Sequence, residues 1–381
     1  MKIAVIAPSF VPSSAANSIQ VMKVCQALVQ AGAEVSLWVP RKTGQTGDPS
    51  WEALKVHYGI VTEFPIHWVR ENLRFRRYDF AWKAVNAARR WGADVVYTWM
   101  VQAGILALWR GMLPALELHM LPTGKLGPAM LRYFSKHHKP KLLLPITSAL
   151  RERLSTGFNV AFTEQETLVA PMGSEPERYQ AFGSASSSRQ RLGLNEQFTA
   201  VYTGHLYEGR GMEILLALGK AFPSVAFLWI GGREPDISNW RKQIQLEGLE
   251  NITLTGFVKN RDLPLYQSAA DLLLMPYQRT VGISGTGNTA DVCSPMKLFD
   301  YLSAGRAILS SDLPVFHEVL NEDNAVFCDP DSPVQWIGAF QELLNDPIRR
   351  EKLGAQAKSD AQRYSWLVRA KSTLSKLESL L

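Results

Sequence analysis

Short apolar runs and amphipathic stretches alternate along almost the whole chain. Residues 3–7 are continuously apolar and stop at Pro8-Ser9. A loop through Pro12, Ser13 and Ser14 leads to Asn17-Ser18, a pair suited to capping a helix. Ile19, Met22, Cys25 and Leu28 then make a wide apolar stripe that Gly32 ends. The run 34–40 follows. Strand, helix and strand in that order predict a parallel βαβ opening. The pattern continues with strands at 66–69, 94–98, 115–119 and 141–146, a basic amphipathic helix over 80–91, and helical patterns at 103–109 and after Thr147-Ser148. A second series has strands at 198–204, 226–230, 252–255, 272–275 and 306–311, again separated by helical patterns, one of them at 263–270. Leu367, Leu374, Leu377 and Leu380 predict a closing helix.

Two βα series imply an α/β protein of two doubly wound domains facing each other across a ligand-binding cleft. The small polar segment 183–188, Gly-Ser-Ala-Ser-Ser-Ser, is the best linker candidate. The expected division is an N-terminal domain 1–183, a linker 184–190, a C-terminal domain 191–363 and a last helix 364–381 that packs back on the first domain. No GxGxxG follows the first strand, so the dinucleotide fingerprint is absent.

Composition narrows the class. A chain of 381 residues with 46% hydrophobic and 20% charged content is a folded protein, and its length suits two domains. No apolar run is long enough to span a bilayer, and residues 1–7 enter a strand without the layout of a signal peptide. Cys25, Cys293 and Cys328 are isolated, which fits a reducing cytoplasm and argues against a zinc site. The net charge of +6 is uneven: residues 1–180 carry +8 and the remainder −2. The basic N-terminal half is a candidate for an anionic partner, including peripheral contact with the inner face of a membrane. No nucleic-acid recognition motif accompanies it.

The chemistry-bearing stretch is Ser294-Pro295-Met296-Lys297-Leu298-Phe299-Asp300-Tyr301, continued to Gly305. Serine as cap, proline at the first helical position and glycine at the end read as one short helix. Its first-turn amides at Met296, Lys297 and Leu298 would lack intrahelical partners, which suits a phosphate group. The glycine-rich loop 282–289 lies just upstream. Lys297 and Asp300 share a helix face, so they suit either a phosphate with a ribose hydroxyl or an ordinary solvated ion pair. A second loop, Gly204 to Gly211, follows a strand and carries Arg210, whose fork suits phosphate oxygens.

In this order the pieces resemble a family 4 glycosyltransferase of the GT-B fold. The resemblance covers the whole chain and is strongest after residue 195. It rests on Gly204, Leu206, Arg210 and Gly211 after a strand, on Gly231-Gly232, on 254–258, on 271–276 and on the S-P-x-K-x-F-[ED]-Y block at Ser294. Upstream, Glu117-Leu118-His119 and Pro171-Met172-Gly173 sit where members carry a strand-end histidine and a P-x-G turn. The resemblance implies that Arg210, Lys297 and the amides of Lys297 and Leu298 hold the donor diphosphate, with Gly204 and Ser294 beside them. It also implies that Asp300 binds the ribose, that Val258 lies where backbone meets the base, that His119 sits near the transferred sugar and that Ser18 starts the helix facing the donor phosphates. Two positions depart from the family. Val292 stands where an upstream acid is common, with Asp291 one residue off, and His205 stands where arginine is usual.

The activity implied is retaining, metal-independent transfer of a hexose from a UDP- or GDP-sugar to a sugar or lipid-linked hydroxyl in glycan biosynthesis, with no cofactor beyond the nucleotide sugar. His119, Arg210 and Lys297 are the catalytic candidates. A nucleotide-sugar epimerase and an inactive binding subunit are the alternatives.

Overall fold

The computed structural model describes residues 1–44, 46–158, 160, 162–280 and 288–381. The chain divides into two compact units, one of Met1–Met172 with Trp366–Leu381 and the other of Gly173–Ser365.

The first unit is built on β1 (Lys2–Ile6), β2 (Glu34–Pro40), β3 (Ile66–Val69), β4 (Val95–Thr98), β5 (Leu113–Leu118) and β6 (Leu142–Pro145). They form one sheet in the order β3-β2-β1-β4-β5-β6, parallel at every pairing. Strands covered on both faces need apolar residues at consecutive positions. Accordingly β4, β5 and β6 are buried from end to end. The helix Ala16–Gln30 begins one residue before the predicted capping pair, with Ala15 as its cap and no side-chain cap bond. Asn17 is exposed and Ser18 is fully buried. The last helix, Trp366–Glu378, belongs to this unit and packs against Ala16–Gln30.

The second unit carries β7 (Thr199–Thr203), β8 (Ala226–Ile230), β9 (Ile252–Gly256), β10 (Leu272–Met275), β11 (Ala307–Ser311) and β12 (Val326–Cys328). They pair in the order β12-β11-β10-β7-β8-β9. The three-residue edge strand β12 had no clear signal in the pattern. The core gathers Trp229, Trp336, Phe227 and Phe340 between sheet and helices.

The segment taken as a linker is a helix. Ser184 caps Ala185–Leu192 by accepting from the Ser187 amide, and Arg189 is buried against Asp271 at 2.9 Å and the Ala269 carbonyl at 3.0 Å. Serines that suggested flexibility serve as a cap and a helix face. The units instead change over at Met172/Gly173 and at Ser365/Trp366.

Candidate functional site

In each sheet the chain runs outward from one central strand and then returns to build the other half. The loops beyond the strand ends at that reversal splay apart and leave a crevice. In the second unit the reversal lies between β7 and β10. The loop 204–211 follows β7, and the segment leading to the helix Met296–Ala304 follows β10.

Tyr301 anchors that helix. Its hydroxyl accepts from the Thr203 amide at 2.8 Å and donates to the Leu274 carbonyl at 3.2 Å, so the helix is tied to the ends of β7 and β10. The helix starts one residue later than predicted: Pro295, not Ser294, is the cap, with extended ψ of 130° and no side-chain cap bond. Ser294 lies outside it, half-buried. The Leu298 amide donates to the Pro295 carbonyl at 3.0 Å, so of the predicted phosphate-facing amides Leu298 is already engaged.

Lys297 does not pair with Asp300. Its Nζ is buried and has no hydrogen-bond partner among the described residues. It lies 3.9 Å from the centre of the Tyr202 ring and 5.1 Å from that of Tyr277. Arg210 stands over Tyr277 at 4.6 Å and Tyr207 at 4.8 Å, donates to the Tyr207 hydroxyl, and leaves Nε without a partner among the described residues. Two cations thus share Tyr277 with no carboxylate of the described residues paired to either. Contacts with ring faces return about 0.5–2 kcal/mol each, far less than a buried charge loses on leaving water. Burial first, then Arg210, holds the Lys297 ammonium well below the usual lysine value. Two close cations with no described acid beside them suit an anionic group.

Gly204 leaves room for Lys297. It has φ of 144°, and a Cβ there would stand 2.8 Å from Lys297 Nζ. Gly211, the helix cap at φ of 68°, lies against Pro276, whose carbonyl oxygen a Cβ would meet at 1.6 Å. Gly204→Ala is expected to displace the ammonium and weaken anion binding about tenfold, with a loss of roughly 1–2 kcal/mol in stability. Calorimetric titration with UDP and a urea melt check both.

His205 is pushed down to about 4 by burial and by the Arg210, Arg233 and Lys297 charges. Its ring stacks on Tyr207 at 5.4 Å, so at neutral pH it brings a neutral ring and no third charge. Asp300 is half-buried on the same helix, close enough for its charge to disfavour ionisation of Tyr179 and Tyr301. Val258 is half-buried two residues past β9. Val292 is buried and Asp291 exposed. Residues 282–287 of the glycine-rich loop lie outside the described residues.

The first unit has its own crevice of about 380 Å³ where the order reverses between β1 and β4, lined by the segments after β1, β4 and β5. Two-residue alternation brings Glu117 and His119 to one side of β5. His119 Nε2 lies 2.7 Å from Glu117 Oε1, with Gln20 Nε2 and Trp99 Nε1 each at 3.2 Å. Glu117 is fully buried, accepts from Gln20 and Tyr97, and pairs with Arg369 at 2.9 Å. Burial alone would raise its pKa, but Arg369, His119 and Tyr97 together hold the carboxyl well below the usual range. Gln20 lines the crevice and its Oε1 has no partner among the described residues.

Gln20, Tyr97, Trp99 and Arg369 escaped the sequence reading. Each is an ordinary residue on a helix or strand, and Arg369 lies 252 positions from its partner. Ser18 is buried: its hydroxyl donates to the Phe10 carbonyl at 2.8 Å and bonds Tyr58 at 2.6 Å, so its side chain ties down the loop after β1.

Two parallel six-stranded sheets with flanking helices are the fold of the GT-B glycosyltransferases. Residues 197–346 match the model of the family described as glycosyl transferases group 1, and the match lies wholly within the second unit. Two Bacillus subtilis (strain 168) proteins are similar over part of their length. One is TuaH, provisionally described as a teichuronic acid biosynthesis glycosyltransferase, 29% identical over 123 residues, which is 32% of this chain and 28% of TuaH. The other is spore coat protein SA, 23% identical over 203 residues, 50% of this chain and 51% of that protein. The chain therefore spans about half or less of the length of these relatives. Among solved structures, Anabaena Alr3699/HepE in complex with UDP superposes with a TM-score of 0.74 over 100% of both chains at 16% identity, and the same protein has been solved with UDP-glucose.

Proposed function

We propose that the protein is a retaining glycosyltransferase that moves a hexose from a nucleotide sugar to a hydroxyl of a sugar or lipid-linked acceptor. The observation that carries this reading is the pair of cations at the β7/β10 reversal, Lys297 and Arg210, neither paired to an acid among the described residues. UDP is the favoured carrier, because a structural neighbour of the same fold binds UDP and UDP-glucose.

In this reading the bond between the anomeric carbon and the diphosphate oxygen breaks, and its electron pair goes to the diphosphate. Lys297 and Arg210 neutralise the growing charge inside a dry site, where fixed charges are most effective. Two cations do the work that a divalent ion would otherwise do. The acceptor oxygen bonds to the anomeric carbon on the face the diphosphate leaves, and its proton passes to the departing phosphate oxygen. Asp300 takes the ribose hydroxyls and the backbone at Val258 meets the base. In the first unit, the orphaned Gln20 Oε1 and the Glu117–His119 pair offer acceptors for sugar hydroxyls.

Thermal melts with UDP, GDP and their sugars, followed by slow donor hydrolysis without acceptor, test the reading. A nucleotide present at about 100 times its Kd should stabilise by roughly 2.7 kcal/mol. A raised Tm with release of the same diphosphate supports transfer. Conversion of the donor into an epimer without acceptor would replace transfer by epimerisation. Absence of any nucleotide effect would leave a binding subunit without sugar-transfer chemistry.

A further inference from the structure

The helices Tyr78–Trp91, Val101–Arg110 and Leu126–Lys136 connect β3 to β4, β4 to β5 and β5 to β6. These crossovers all step the same way across the sheet, and right-handed connections place their helices on one face. The middle helix packs against both others. The result is one continuous layer with an inner side on the sheet and an outer side in water.

That outer side has an unusual composition. Trp82 is 54% exposed, Trp109 60% and Tyr133 45%. Of the six exposed aromatic side chains among the described residues, five lie between positions 75 and 133. Basic side chains surround them. Positions 70–139 hold twelve Lys and Arg against four Asp and Glu. The acids do not balance this charge: Glu117 is buried, Glu71 and Asp79 pair with Arg77 and Lys83, and Asp94 receives the Lys2 amide at the foot of β4. Arg89, Arg90, Arg110, Lys125 and Lys136 take part in no ion pair of the described residues.

We propose that this three-helix face docks on an anionic lipid surface. Rings of tryptophan and tyrosine settle at the boundary between headgroups and acyl chains, while lysine and arginine reach lipid phosphates. The polar tips of the rings favour this partner over a nucleic acid. Trp109 Nε1 donates to the Tyr133 hydroxyl at 2.7 Å, and the Tyr78 hydroxyl donates to Met130 Sδ at 3.4 Å. These two donors are satisfied within the protein, so the Trp109 and Tyr78 rings can leave water without stranding them. The Trp109 and Tyr133 rings also meet edge to face, at 76°, so they do not form the open flat platform on which bases stack. No helix among the described residues is long and apolar enough to cross a membrane, so the contact is peripheral.

Flotation of the full chain with vesicles of phosphatidylcholine, with and without phosphatidylglycerol, tests the proposal independently of sugar transfer. The expected result is at least ~10-fold more bound protein on the anionic vesicles, falling as salt is raised. The double variant Trp82→Ala, Trp109→Ala should float poorly, and Arg89→Glu, Arg90→Glu should lose the dependence on phosphatidylglycerol, each with an unchanged far-ultraviolet spectrum and Tm. Equal binding to both vesicle types, full binding by either variant, or binding to a single-stranded oligonucleotide without binding to vesicles would overturn the proposal.

Discussion

Replacing Lys297 by methionine is expected to raise the Tm of the ligand-free protein and to abolish the further rise that UDP produces. Lys297 Nζ is shielded from water with no hydrogen-bond partner among the described residues, beside a second cation. A methionine of similar length keeps contact with Tyr202 and removes the orphaned group, for a gain of about 1–3 kcal/mol. The same change removes a direct charge contact to the diphosphate in a dry site. Losses of this kind reach about 2–5 kcal/mol, so UDP affinity should fall about 10²–10³-fold by calorimetric titration. Arg210→Ala should act similarly, and Arg210→Lys should not restore binding, because an ammonium lacks the planar fork.

The pH dependence has a definite sign. Lys297 has a folded value below its ordinary one, with burial as the larger cause and Arg210 as the second. Between those two values the unfolded chain binds more protons, so ligand-free stability rises as pH climbs through that window. UDP favours the charged ammonium, takes up a proton on binding there, and binds more weakly as pH rises. Lys297→Met should flatten both curves. A variant that kept UDP affinity and its pH slope would remove Lys297 from the donor site.

The largest loss of stability is expected from Arg369→Met. Arg369 pairs with Glu117 at 2.9 Å, donates to Tyr97 at 3.1 Å, and donates to the carbonyls of Pro171 at 2.8 Å and Ala170 at 3.2 Å. Removing it leaves a fully buried carboxylate whose remaining described side-chain partners are Gln20, Tyr97 and His119, and breaking a buried pair in this way costs about 3–5 kcal/mol. Glu117→Gln in the same chain should recover part of that, with a coupling of at least about 1 kcal/mol in a double-mutant cycle of urea melts. Because the folded value of Glu117 is depressed, its contribution is present above the ordinary carboxylate range and is lost as pH falls towards the folded value. Strictly additive single and double variants would mean that the pair carries no net energy.

The closing helix itself was legible, as an amphipathic pattern near the end of the chain. Its arginine was not, because nothing local distinguishes Arg369 from the solvated basic residues around it. The serines at 184–188 show the same limit. Small polar residues suit a linker and a helix cap equally well, and only the burial of Arg189 against Asp271, 82 positions away, decides between them. The start of the donor-side helix was misplaced by one residue for a related reason. Proline's restricted φ is compatible with both the cap and the first helical position, and here the extended ψ of Pro295 makes it the cap.

What the sequence by itself determined was the alternation of strands and helices, and with it two parallel sheets, because that alternation is a property of neighbouring residues. It also determined the Gly204–Gly211 loop and the Lys297 helix start, whose glycine, proline and charge signals are local. Only the tertiary structure decided the electrostatic state of these groups. Ser18 became a buried tie, His205 a neutral ring, and Lys297 a cation without a partner instead of half of a surface pair with Asp300. Each outcome depends on distance from water and on residues far away in the chain, brought close where the strand order reverses.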